Sequence, residues 1–192
     1  MFKFEEPTID RKQDAIDYVN ELKEYNSGIN GVSGLDKYLD DYEGWLEKID
    51  KDKSAPVTDE TVPKRVYFLV RCEDNKIVGM CAIRLKLNEK YMYYGRNIGY
   101  SIRPTERGKG YNKINLYLAL KECKKYGIEK ALLDVDANNT ASWRTMEALG
   151  GHMDLEMESE LEGHYKVRFY SIDVEKSLKE YSSIYEPMIV SK

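Results

Sequence analysis

A glycine-bearing turn, Arg107-Gly108-Lys109-Gly110-Tyr111-Asn112, joins an apolar, strand-like run ending at Ile102 to a helical pattern that continues to about Tyr126. This junction constrains the fold more than any other segment. Glycine lets the backbone turn tightly and approach a ligand closely, and the first amides of the following helix lack intrahelical acceptors and carry the positive end of its dipole. Arg103, Arg107, Lys109 and Lys113 add positive charge around the turn, in a chain whose net charge is -4. Such a junction suits phosphate, so the expected guest is a phosphorylated cofactor.

Around it the pattern alternates. Asp10 to about Tyr25 reads as a helix burying Ala15, Tyr18, Val19 and Leu22, with Asp10 as its N-cap. A second helix is expected to start at Ser33 and run along the stripe Leu35, Tyr38, Leu39, Tyr42, Trp45, Leu46 and Ile49. Asp50 to Thr61 lacks periodicity and reads as a surface connection. Val66–Val70 and Ile77–Ile83 form a hairpin around Glu73-Asp74-Asn75-Lys76. Further strands are expected over Asn97–Ile102, Ala131–Asp136, Asp154–Glu158 and Tyr165–Ile172, with helices from Gly110 and over Thr140–Leu149. The fold class is therefore α/β (α+β): a mixed, mostly antiparallel sheet flanked by helices, in one domain over residues 1–172 with a C-terminal extension over 173–192.

At 192 residues the chain can bury roughly 70% of its unfolded surface. No apolar run approaches the roughly 18 to 20 residues that cross a bilayer, and acidic residues follow the N-terminus where a signal peptide needs apolar ones, so the chain reads as cytoplasmic with no membrane partner. Cys72, Cys81 and Cys123 are widely spaced and accompany only two histidines, so neither a disulfide framework nor a metal site is expected. A pI near 5.4 offers no footprint for nucleic acid.

The turn resembles the R/Q-x-x-G-x-G/A signature of the GCN5-related N-acetyltransferase (GNAT) superfamily, with Asn112 standing where the family has Gly or Ala. Asn139-Thr140-Ala141-Ser142, followed by Gly150-Gly151, resembles a second family motif, and Val62-Pro63 through Ile98-Gly99-Tyr100-Ser101-Ile102-Arg103-Pro104 looks like a bacterial subgroup of predicted acetyltransferases. The resemblance implies a GNAT-like three-layer fold and transfer of an acetyl group from acetyl-CoA to an amine. It implies that the amides of Gly108, Lys109, Gly110, Tyr111 and Asn112, with Arg107, hold the pyrophosphate. Tyr100 and Ile102 would pair with the pantetheine arm, and Asn139 and Ser142 would contact the cofactor. Asp134, in Leu133-Asp134-Val135, stands where ribosomal-protein acetyltransferases carry a Glu, and is the candidate general base. Asp136 shares its strand face and offers recognition of positive charge. Where many relatives have a proton-donating Tyr this chain has Met146, leaving Tyr111, Tyr100 or Tyr165 as substitutes.

Plainer readings stand beside these. The glycine turn can be only a turn, Asp134 and Asp136 solvated strand ends, and Asn139 a helix cap. Tyr91, Tyr93, Tyr94 and Tyr100 offer an aromatic lining for an acceptor groove but read more plainly as strand packing, and His152 and His164 read as surface or turn residues before a catalytic pair. The expected function is acetylation of a small-molecule primary amine. A peptide acetyltransferase of the ribosomal-protein-modifying type and a non-catalytic CoA-binding sensor are the alternatives, and the oligomeric state, a homodimer included, stays open.

Overall fold

The computed structural model describes residues 1–159 and 165–190. The described residues form a four-stranded antiparallel sheet in the order β1-β2-β3-β4 and a three-stranded antiparallel sheet in the order β5-β7-β6. The first contains β1 (Phe2–Glu5), β2 (Lys64–Arg71), β3 (Lys76–Arg84) and β4 (Ile98–Ile102); the second contains β5 (Lys130–Asp136), β6 (His152–Glu158) and β7 (Lys166–Asp173). This is the mostly antiparallel α/β arrangement the sequence implies, but β1 is an addition. Phe2 and Phe4 alternate into the core from a strand of four residues, too short to register as a pattern.

Helices cover both faces of the first sheet. Val66, Phe68, Val70, Ile77 and Met80 pack with α1 (Lys12–Glu24) and α2 (Tyr42–Asp52) on one side. Tyr67, Leu69, Val78, Cys81 and Ile83 pack on the other side with α4 (Tyr111–Lys125). Strands buried on both faces explain the nearly continuous apolar runs in β2 and β3. The remaining helices are α3 (Glu89–Tyr93), α5 (Thr140–Glu147) and α6 (Val174–Tyr185). Helix α6 lies against α4, where Tyr185 meets Tyr117 at 5.0 Å between ring centroids. Beyond it, Ile189 forms a bridge with Phe2.

Three local expectations are corrected. The N-terminal helix is preceded by a 3-10 turn over Ile9–Arg11, so Asp10 lies inside that turn and does not cap α1. The second helix begins at Tyr42, capped by Asp41 accepting the Gly44 N–H at 3.0 Å, and not at Ser33. Gly31, Ser33 and Gly34 have φ of 75°, 52° and 84°, which no helix accommodates, and Leu35–Lys37 form only a 3-10 turn. Gly31 is required by close approach, since a Cβ there would sit 2.8 Å from Gly99 O. The tyrosine-rich segment is the short helix α3, capped by Asn88, and not a strand; Tyr91 lies under Arg84 at 4.3 Å and Tyr93 is exposed.

One side chain holds the two sheets together at their meeting point. Asn97 donates through Nδ2 to Arg84 O (3.1 Å), accepts the Leu132 N–H on Oδ1 (2.9 Å), and donates its own amide to Leu132 O (2.9 Å). It is 5% exposed. Asn97→Ala strands a buried amide and a carbonyl, and should cost roughly 1–3 kcal/mol of stability in urea unfolding.

Candidate active site

Beyond Asn97, β4 and β5 form no ladder with each other, and a wedge opens between them. Asn97 O accepts the Arg84 N–H (2.7 Å) and the Arg103 N–H reaches Val78 O (2.9 Å). Antiparallel alternation then turns the backbone groups of Gly99 and Ser101 to β3 and those of Ile98, Tyr100 and Ile102 into the wedge. From the other side, Ser101 Oγ donates to Asn30 O (2.6 Å) and bonds the Tyr18 hydroxyl (3.0 Å), fixing the loop before α2 over β4.

The glycine turn closes one end of the wedge. Gly108 and Gly110 have φ of 77° and 78°, and a Cβ on either would meet nothing within 4 Å, so it is backbone conformation that calls for glycine and the space above stays open. Among the described residues the amides of Gly108, Lys109 and Gly110 find no backbone acceptor, and those of Tyr111 and Asn112 open α4. Glu106, 4% exposed, anchors the turn through Arg71 (2.7 Å), Lys76 (3.0 Å) and Lys109 (2.7 Å). Burial alone would raise its carboxyl, but these cations outweigh burial and hold it at about 2 instead of 4.5. A depressed carboxyl stabilises the fold above its unfolded value, so this contribution should fade as pH falls from 4.5 toward 2. Thermal melts across that range should show Glu106→Gln losing less stability on acidification than the parent.

The basic cluster differs from the sequence expectation. Arg103 turns into the core, donating to Ile77 O (2.9 Å) and Glu21 (2.8 Å), and the Lys109 ammonium is committed to Glu106. Arg107, Lys113 and Arg144 make no ion pair among the described residues, and all three border a cavity of about 690 Å³. Every nominated cofactor residue except Lys109 lines it: Tyr100, Ile102, Arg107, Gly108, Gly110, Tyr111, Asn112, Asn139 and Ser142. Asn139 caps α5 by accepting the Ser142 N–H at 3.2 Å, so its capping reading and its place at the cavity coexist. Asn112 donates to Thr145 Oγ1 (3.3 Å), while its Oδ1 is buried without a partner.

A second cavity, of about 820 Å³, contains Asp134, Asp136, Tyr165 and Met146 and shares Asn30, Tyr100, Asn139 and Ser142 with the first. The two adjoin at these shared residues. At the junction the Tyr100 hydroxyl bonds Ser142 Oγ (3.0 Å), and burial raises its pKa, so it keeps its proton at neutral pH. Burial also raises the Asp134 carboxyl, with the Gly95 amide, Arg96 and Arg84 opposing but not cancelling it. Asp136 is tied more locally, accepting the Asn138 N–H (2.8 Å).

The chain matches the Acetyltransferase (GNAT) family over residues 32–150. It belongs to this family. Among curated protein sequences none matches. In fold the chain is similar to a spermidine N-acetyltransferase from Vibrio cholerae in complex with CoA and spermine, at 15% identity and TM-score 0.66, with 92% of this chain and 98% of that one covered. It is also similar to a GNAT-family acetyltransferase from Bacillus anthracis (16% identity, TM-score 0.60, 91% and 95% covered). An N-acetyltransferase from Staphylococcus aureus Mu50 gives 13% identity and TM-score 0.62, with 91% and 99% covered. At such identities the likeness establishes the fold alone. As a GNAT protein the chain is an acetyl-CoA-dependent N-acetyltransferase.

The remaining GNAT features divide cleanly. Met146 is buried in the core, and of the substitute tyrosines Tyr111 bonds Arg71 (3.3 Å) and tilts against Phe2 (4.7 Å), while Tyr100 alone of the three borders both cavities. His152 is exposed at the start of β6, and His164 lies outside the described residues. Among the described residues no group of three His, Cys, Asp or Glu is placed to hold a metal ion, and no helix is long and apolar enough to cross a membrane. Sequence reasoning missed Asn97, Glu106, Asn30 and Arg144. Glu106 carried a weak signal as the acid just before Arg107, but its partners Arg71 and Lys76 come from a distant hairpin.

Proposed function

We propose that the chain transfers the acetyl group of acetyl-CoA to a primary amine of a small molecule, with the glycine-turn cavity holding the cofactor and the Asp134 cavity receiving the amine. The observation that carries this reading is the shared rim. A cavity bordered by unpartnered amides, Arg107, Lys113 and Arg144 shares Tyr100, Asn139 and Ser142 with one lined by the half-buried Asp134 carboxylate.

The residues fit coenzyme A. Open space above Gly108 and Gly110, the α4 amides and three cations outside ion pairs suit a diphosphate. The outward N–H and C=O groups of Tyr100 and Ile102 suit the amides of a pantetheine arm, as an added strand would use them. Arg107 Nε already donates to Ile102 O (3.3 Å), which orients that guanidinium across the end of the strand. When bound, acetyl-CoA supplies the activated acyl thioester.

This chain's residues then handle protons and orientation. An aliphatic ammonium of pKa near 10 must lose a proton before attack, and Asp134 takes it, directly or through water, its raised pKa making it a stronger base than an exposed Asp. The wedge-facing N–H groups of β4 orient and polarise a carbonyl. Tyr100, held by Ser142, would give its proton to the departing thiolate, since position 146 is a Met with no proton to give. Incubation with acetyl-CoA and a panel of small amines and lysine peptides, following free thiol and product mass, tests the reading. Small amines should be acetylated; turnover of peptides only would favour the protein-modifying alternative.

A further inference from the structure

The basic residues of the larger cavity have no part in this proton chemistry. Lys48 from α2, Lys64 from β2 and Arg84 from β3 line that cavity together with Asp134 and Asp136 from β5. Lys48 and Lys64 both reach Asp52 Oδ2, at 2.9 and 3.2 Å, so two ammonium groups share one carboxylate. Burial, and next the neighbouring Lys48, lower the Lys64 pKa. Arg84 is beside them, its main chain in register with Lys64. It donates only to carbonyls, Gly95 O (2.6 Å) and Arg96 O (3.0 Å), its Nε is buried without a partner, and it makes no ion pair among the described residues. Asp36 and Lys37 add one acid and one base to the lining. Lys48 and Lys64 therefore share a single contacting carboxylate, while Arg84 contacts none and acts at longer range on Asp134.

We propose that the acceptor carries an anionic group, a carboxylate or a phosphate, remote from its reactive amine: the anion sits on Lys48 and Lys64 while the amine faces Asp134. This deepens the proposed function and rests on it. Lys64 aligns with Arg84, Arg84 with Asn97, and Asn97 with Leu132, two residues before Asp134. Three strand spacings put about 14 Å between the outer main chains. Lysine and arginine side chains span part of that distance, but an α-amino acid, whose charges are a few bonds apart, does not bridge the rest. A linear ω-amino acid or amino phosphate does. A polyamine would set its second ammonium against Lys48 and Lys64, where like charges repel.

The test compares acceptors of one length: 6-aminohexanoate, 6-aminohexyl phosphate and 1,6-diaminohexane. The two anionic acceptors should show kcat/KM at least tenfold above the diamine, and their relative rates distinguish a carboxylate from a phosphate preference. Lys64→Met and Lys48→Met, made separately so that one misfolded variant does not decide the matter, should each cut the anionic-over-diamine ratio at least fivefold. A diamine used as well as either anionic acceptor overturns the proposal, as does a ratio preserved in both variants. In either case acetylation itself would leave the N-acetyltransferase site standing. If no acceptor turns over, calorimetry of hexanoate and inorganic phosphate on CoA-loaded protein decides. Saturable binding weakened by the variants supports the anion site, and its absence overturns it. Failure to take up acetyl-CoA at all would remove the site reading and the inference together.

Discussion

Asp134→Asn should lower kcat by roughly 10²–10⁴-fold, the range for removing a general base, while leaving acetyl-CoA affinity within about twofold. The asymmetry follows from position: Asp134 lines the larger cavity and not the one formed by the glycine turn. Its pKa supplies a second signature. Burial raises the carboxyl above its ordinary 3.8, so the acid limb of the parent's pH–rate profile should lie above that value and disappear in the variant. The stability consequence has the opposite sign. A carboxyl raised by the fold stabilises it most when protonated, below the unfolded value, and that contribution is lost as pH rises through the folded one. At neutral pH the ionised side chain is a burden, so Asp134→Asn should melt at the same temperature or higher. A slow enzyme with an undiminished melting temperature separates a catalytic loss from misfolding. An unchanged kcat would remove Asp134 from the role of base.

Gly110→Val should weaken acetyl-CoA binding at least tenfold, read as the dissociation constant in calorimetry. Two effects combine. The φ of 78° is costly for any L residue, about 1–2 kcal/mol, and worst for a β-branched one. The new side chain would also enter the open space beside the turn, where nothing lies within 4 Å of a Cβ. Gly127 provides the control: its φ is 71°, its Cβ space is equally open, and it follows the far end of α4. Gly127→Val should lose similar stability, on the order of a few degrees in Tm, without a change in acetyl-CoA affinity. If both variants bind equally, backbone strain rather than the ligand requires glycine at position 110.

The parts of this site carried by contiguous residues were legible in the sequence. Arg107 to Asn112 and Asn139 to Ser142 each form a local motif, and the strand alternation and helix stripe around them fix where the motifs lie. What escaped depends on contacts between distant segments. The β1 strand has only Phe2 and Phe4 to signal it and owes its pairing to Arg71 through Phe68. The second helix kept its apolar spacing back to Leu35, but left-handed Gly31, Ser33 and Gly34 stop it, and the sharpest of those constraints is the approach of Gly31 to Gly99 on β4. Likewise Arg103 counts as a cation near the turn in sequence, and only the packing of α1 reveals that Glu21 claims it. Lys48, Lys64 and Arg84 come from three elements and share no motif, so their place in one cavity could not be read before the fold.

Titration of ¹⁵N-labelled protein with coenzyme A, following backbone amides, reads the glycine turn's contact with the diphosphate at the atoms that make it. The largest shifts should fall on Gly108, Lys109, Gly110, Tyr111 and Asn112, followed by Tyr100 and Ile102 along β4. Saturable binding that leaves the Gly108–Asn112 amides unmoved would contradict that contact.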